Sequence, residues 1–154
     1  MRIMIDFLKT HQQDLEIQLI ELDDNSHHRC HENPSDSIGL ELSRQLEGDQ
    51  PYYTQFGFQP KERSARQKLL HNHQRMSQIK TVQYPILLDL CRTHGFKPDL
   101  LDYIHRHRTD PMIKTLKYLS RHDCSKYSEI YRVLFRNFGL EQLGGNETIY
   151  ILML

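Results

Sequence analysis

The chain has 154 residues, 38% hydrophobic and 26% charged, with 20 Lys and Arg against 20 Asp and Glu. That is the size of one ordinary domain with material for one core, and the lack of any low-complexity tract excludes a disordered chain. The longest apolar runs, such as 149–154, fall far short of the roughly 20 residues that span a bilayer, and the N-terminus has no signal-peptide architecture. An intracellular protein, cytoplasmic or nuclear, with no membrane partner is expected.

Three cysteines, Cys30, Cys91 and Cys124, are an odd number at wide spacing. This pattern argues against a disulfide framework and suits free, buried thiols in a reducing compartment. The zero net charge conceals an asymmetry. Residues 1–60 carry 4 basic and 11 acidic side chains, whereas 61–136 carry 16 and 7. Net charges of −7 and +9 predict either mutual attraction between the two pieces or a basic half open to an anionic partner.

In chain order, 3–13 reads as a short helix, and 15–22 alternates apolar with polar residues as a half-buried strand does. The stretch 23–34 is a polar loop without periodicity. Asp36 and Ser37 are placed to cap a helix reaching about Leu46, with Ile38, Leu42 and Leu46 on one face. From Glu62 the pattern becomes helix after helix. The first runs to about Lys80 with Ala65, Leu69, Met76 and Ile79 on one stripe. Pro85, Pro98 and Pro111 start three more, since the first-turn N–H has no intrahelical partner to lose. The last helix, about 125–138, carries Tyr127, Ile130, Tyr131, Leu134, Phe135 and Phe138 at helical spacing and closes at Gly139. The run 148–154 favours β-structure, which leaves two arrangements open: a return to pair with the 15–22 strand, or a C-terminus apart from it.

The fold class expected is therefore α+β and mostly helical. A small N-terminal βα piece (1–60) precedes a bundle of about five helices (61–154), joined into one unit, with a C-terminal strand. The expected core is Leu69, Met76, Ile79, Leu87, Leu90, Leu101, Ile104, Leu116, Leu119, Ile130, Leu134 and Phe138.

The segment 36–58, a helix followed by Tyr53-Thr54-Gln55-Phe56-Gly57-Phe58, resembles the closing motif of GCN5-related N-acetyltransferases. The resemblance covers about 15–60 and is nearest to the divergent acetyltransferase-like proteins of large DNA viruses and some protists. It implies an acetyl-CoA-dependent ancestry and places at Tyr53 the tyrosine that protonates the leaving thiolate. The Arg/Gln-x-x-Gly-x-Gly/Ala loop that holds the cofactor pyrophosphate in that family is missing, with only Gly39 as a trace. On residue chemistry alone, Tyr52, Tyr53, Phe56 and Phe58 form an aromatic cluster turned by Gly57.

Two further constellations carry donor or cationic chemistry. His27-His28-Arg29-Cys30-His31, beside Glu32, offers zinc-type donors, but ligands packed into consecutive residues do not readily wrap a tetrahedral ion, and no metal site is expected. Arg63, Arg66, Lys68, Arg75, Arg106 and Arg108, with Lys61, Lys80, Lys114, Lys117 and Arg121, are suited to phosphates, or equally to a solvated helical surface. His71, His73, His105, His107 and His122 lie among them and would add positive charge near pH 6.

Three functions follow. The leading one is a non-catalytic, degenerate acetyltransferase-like protein without a cofactor, acting through its helical surface on a protein partner or a second copy of itself. The second is an active N-acetyltransferase using acetyl-CoA and Tyr53, completed by a partner chain. The third is a nucleic-acid-binding module built on the basic helices.

Overall fold

The computed structural model describes residues 1–24, 26–79, 83–144 and 148–154. Lys80, assigned above to the basic surface, lies outside the described residues. The protein is α+β and mostly helical, with seven α-helices among the described residues and a C-terminal strand paired to the first.

Helix α1 (Arg2–Thr10) leads through successive turns to strand β1 (Leu19–Asp23). The strand starts later than the alternation suggested, because residues 11–16 continue in turns and Glu16 takes the left-handed conformation (φ 51°). Strand β5 (Ile149–Met153) lies antiparallel to β1, from Leu19 opposite Met153 to Asp23 opposite Ile149. This register pairs Ile20 with Leu152 and Leu22 with Tyr150, so one face of the ribbon is apolar. The short strand β4 (Gln59–Pro60) flanks β5 on its other side, giving the order β1-β5-β4. Ile5 of α1, Phe58, Tyr150 and Leu152 form a small apolar cluster over this sheet.

The polar stretch 23–34 is not all loop, and Asp36 and Ser37 do not cap a helix. His27–Arg29 form strand β2, antiparallel to β3 (Ser37–Gly39). Between them, Asn33 Oδ1 accepts from the backbone N–H (3.2 Å) and the hydroxyl (2.8 Å) of Ser35, and Asp36 N–H donates to Asn33 O (2.9 Å). An Asx turn with Pro34 at its centre thus folds the chain back. Periodicity missed the hairpin because β2 is exposed along its length and carries no apolar alternation. Ile38 is buried as a strand residue, and helix α2 (Leu40–Leu46) begins only after it.

The helical part comprises α3 (Arg63–Gln78), α4 (Tyr84–Thr93), α5 (Pro98–Arg106), α6 (Met112–His122) and α7 (Cys124–Asn137). Asp123 caps α7, its carboxylate accepting from Lys126 N–H at 3.2 Å. All six stripe residues of α7 are buried, and Gly139 leaves it at φ 68°. They share one core with Cys30, Ile38, Leu42 and Leu46 from the N-terminal piece. Of the expected core, Ile79, Leu90 and Leu101 only flank this cluster, and Leu69 is half-buried. Helix α3 is buried at Ala65, Met76 and the polar Asn72.

Cys30 and Cys124 form a disulfide across a sequence separation of 94, which corrects the expectation of three free thiols. Wide spacing misled because the β2–β3 hairpin brings Cys30 onto the N-terminus of α7, where Cys30 N–H donates to Asp36 O (3.1 Å). Cys91 is free and buried, and burial pushes its thiol up to about 12. No helix among the described residues is long and apolar enough to cross a membrane.

Candidate functional site

The basic side chains divide by what they touch. Arg66 Nε donates to Pro60 O (2.8 Å), tying α3 to the sheet, and Arg75 Nε donates to Phe138 O (3.1 Å) at the end of α7. Lys68 reaches Gln142 O (3.4 Å), and Arg106 Nε turns back to Asp102 O (3.4 Å). These cations are engaged by backbone carbonyls of the fold. Lys61 pairs with Glu21 (2.7 Å) and Lys117 with Asp49 (2.8 Å), so acidic and basic segments do meet. Arg63 stays on the exposed start of α3 beside Lys61, Arg66 and Leu70. Of the six basic residues singled out from sequence, Arg63 and Arg66 line one surface depression and Arg108 lines another.

A different set converges between α4 and α5. Tyr84, Leu87 and Cys91 turn the inner face of α4 into the core, which leaves Pro85, Leu88, Asp89 and Arg92 along its flank. Across from them stand Ile104 and His105 of α5, with Arg108 just beyond its end. Together they line a cleft of about 510 Å³. Its floor is apolar through Leu88 and Ile104, and its wall is anchored by the Tyr84 hydroxyl, which donates to Asp110 O at 2.8 Å and lies 3.1 Å from His107 O. Among the described residues the side chains of Arg92, Arg108 and His105 have no hydrogen-bond or ion-pair partner. Two guanidinium groups over an apolar floor can hold a carboxylate-bearing group that also buries a hydrocarbon side chain. Arg108 was on the sequence-derived list and His105 among the histidines noted beside it; Arg92 enters the site only through the packing of the two helices.

Tyr53 sits in a 3₁₀ turn, Tyr52–Phe56, that ends at Gly57 (φ 89°). Its ring packs against Phe58 (centroids 6.1 Å apart) and Tyr150 (5.9 Å), with Tyr52 at 5.4 Å. Burial first, then the nearby Asp24 carboxylate, push its phenol above the ordinary value. Gly39 follows Ile38 at the end of β3, where its N–H donates to the Tyr131 hydroxyl (3.4 Å). Tyr53 packs with the sheet cluster, whereas Gly39 meets α7 of the helical core.

A second cleft, of about 370 Å³, lies where the β2–β3 hairpin meets α2 and the α6–α7 corner. His28, His31 and Glu32 from the histidine-rich segment line it together with Cys124. The carboxylate of Glu32 and the sulfurs of Cys30 and Cys124 all lie within 4.8 Å of one another. Sequence reasoning had the local donors but lacked Cys124, which is remote along the chain.

Compared with family models, with curated proteins and with solved structures, the chain matches none.

Proposed function

We propose that this chain is a non-catalytic binding protein that uses the α4–α5 cleft to dock an acidic segment of a protein partner through one apolar anchor. The observation that carries this reading is the pair of unpartnered guanidinium groups, Arg92 and Arg108, set over Leu88 and Ile104. Isolated arginines on a solvated face offer only weak ion pairs. Here the apolar floor supplies burial, and the two cations supply the choice of an anionic partner.

The packing of Tyr53 among aromatic rings supports an architectural role for the segment that resembles the acetyltransferases, in keeping with a relative that has lost catalysis. The engagement of Arg66, Lys68 and Arg75 with backbone carbonyls favours a protein over a nucleic-acid partner, because those side chains are occupied in holding the fold.

The test is a titration of the full chain, followed by backbone amide NMR, with two synthetic peptides. One carries several Asp or Glu around a single Leu or Phe; the other has Gln and Asn in place of the acids. The acidic peptide should shift amides of α4 and α5, and the double variant R92E/R108E should abolish the effect. Equal binding of the neutral peptide, or binding unchanged in the variant, would refute the assignment. Preferential displacement by a single-stranded oligonucleotide would favour the nucleic-acid reading.

A further inference from the structure

The hairpin described above turns an unpromising run of donors into a site. Cys30 lies just beyond β2, Glu32 two residues on, and Cys124 opens α7 on the opposite wall. A tetrahedral zinc ion about 2.3 Å from thiolate sulfur and about 2.1 Å from carboxylate oxygen sets those donors roughly 3.6 Å apart. The three donors here lie within 4.8 Å of one another while the sulfurs are still bonded. Opening that bond needs only side-chain rotation to bring them into range. The cleft beside Cys124 also holds the imidazoles of His28 and His31, either of which is of the right type for the fourth position.

We propose that Cys30, Cys124 and Glu32 form a redox-controlled zinc site, closed to the metal as a disulfide and open to it as a dithiol. Reduction is thiol–disulfide exchange: a dithiol reductant entering the 370 Å³ cleft attacks Cys124 Sγ, and the Cys30–Cys124 bond breaks with Cys30 leaving as thiolate. The second thiol of the reductant then displaces Cys124. The reductant departs as its own disulfide, and two electrons and two protons have passed to the protein. Zinc binding releases those two protons, giving two thiolates and the Glu32 carboxylate as ligands. A disulfide sulfur has no anionic lone pair to offer, so the reverse exchange, in which an oxidised dithiol takes the two electrons and is reduced as the Cys30–Cys124 bond re-forms, expels the ion. In either state Cys30 and Cys124 remain tied, through a bond or through the metal, and the hairpin stays fastened to α7. Cys91, buried in the same core but outside this group of donors, takes no part.

The experiment uses the full chain, reduced with a dithiol and desalted without oxygen, and titrated with cobalt(II) as a spectroscopic stand-in for zinc. The reduced chain should show thiolate-to-cobalt charge-transfer absorption and tetrahedral ligand-field bands saturating at one equivalent, and zinc should bleach both. The oxidised chain should show neither. C91S should behave as wild type, and C124S should lose the charge-transfer band. E32Q, which keeps both cysteines and is exposed, should weaken metal affinity by about tenfold or more. Absence of charge-transfer absorption in the reduced wild-type chain would overturn the proposal. So would its loss in C91S, or an unchanged affinity in E32Q.

Discussion

The side chain of Asn72 closes a two-bond ring with the backbone of Glu141: Nδ2 donates to Glu141 O and Oδ1 accepts from Glu141 N–H, both at 2.8 Å. The same Nδ2 donates to Gln45 Oε1 at 2.5 Å, and Gln45 Nε2 donates to the Glu41 carboxylate. Asn72 is wholly enclosed, so one amide joins α2, α3 and the segment after α7. Replacing it by Ala leaves the buried Gln45 Oε1 and the part-buried Glu141 N–H and C=O without this partner. N72A is expected to lose about 2–4 kcal/mol, by the cost of orphaned buried polar groups. Urea denaturation followed by circular dichroism measures it, and a loss below about 0.5 kcal/mol would contradict the network.

Glu41 at the other end of that chain gives the stability a pH dependence. Burial pushes its carboxyl up to about 7, against the lowering hydrogen bond from Gln45 and with a further push from Asp24. A carboxyl whose folded pKa is raised is easiest to accommodate when protonated. Its contribution is therefore fully present below the unfolded value near 4.5 and is lost as pH rises through about 7. E41Q, neutral throughout, should be more stable than wild type at pH 8 by on the order of 1–3 kcal/mol, and the difference should vanish near pH 4. Thermal melts of both proteins across that range test the sign.

The disulfide closes a loop with a sequence separation of 94. Removing such a crosslink frees the unfolded chain more than the folded one, and the metal-free reduced protein should be about 2–4 kcal/mol less stable. Differential scanning calorimetry with a metal chelator present makes the comparison, with C91S as a variant in which the effect of reduction is retained.

Acetyl-CoA is expected to leave the melting midpoint unchanged. A ligand at about 100 times its dissociation constant would add roughly 2.7 kcal/mol and raise the midpoint by several degrees. Such a rise, lost in Y53F, would restore the catalytic reading of Tyr53.

R92E/R108E is expected to keep wild-type stability within about 0.5 kcal/mol, as surface changes without partners do. Chemical denaturation of the variant tests this. A large loss would mean that the two arginines hold the fold, and the cleft would forfeit its main argument as a binding site.

Much of the helical architecture was legible along the chain. The α7 stripe at 127, 130, 131, 134, 135 and 138, the prolines that begin α4 and α5, and the glycine after α7 express local rules of burial and termination, which need no knowledge of distant residues. The strand character of β1 and β5 was readable as well, whereas their pairing was one option among two until the register matched Ile20 with Leu152 and Leu22 with Tyr150. Short, exposed β2 escaped, since its pairing with β3 rests on an Asx turn and on the burial of Ile38 rather than on any alternation of its own.

The sequence by itself determined the fold class, an α+β chain, mostly helical, with an acidic segment followed by a basic one. What only the tertiary structure decided is which side chains meet. Asn72, absent from the α3 stripe of Ala65, Leu69, Met76 and Ile79, is buried because Gln45 and Glu141 satisfy its amide. Cys30 and Cys124 looked like unrelated thiols until a hairpin and a helix terminus brought them together, and Arg92 gained Arg108 only when α4 packed on α5. Periodicity records how each segment turns toward a core. It carries no record of the register between segments, and the chemistry of both clefts depends on that register.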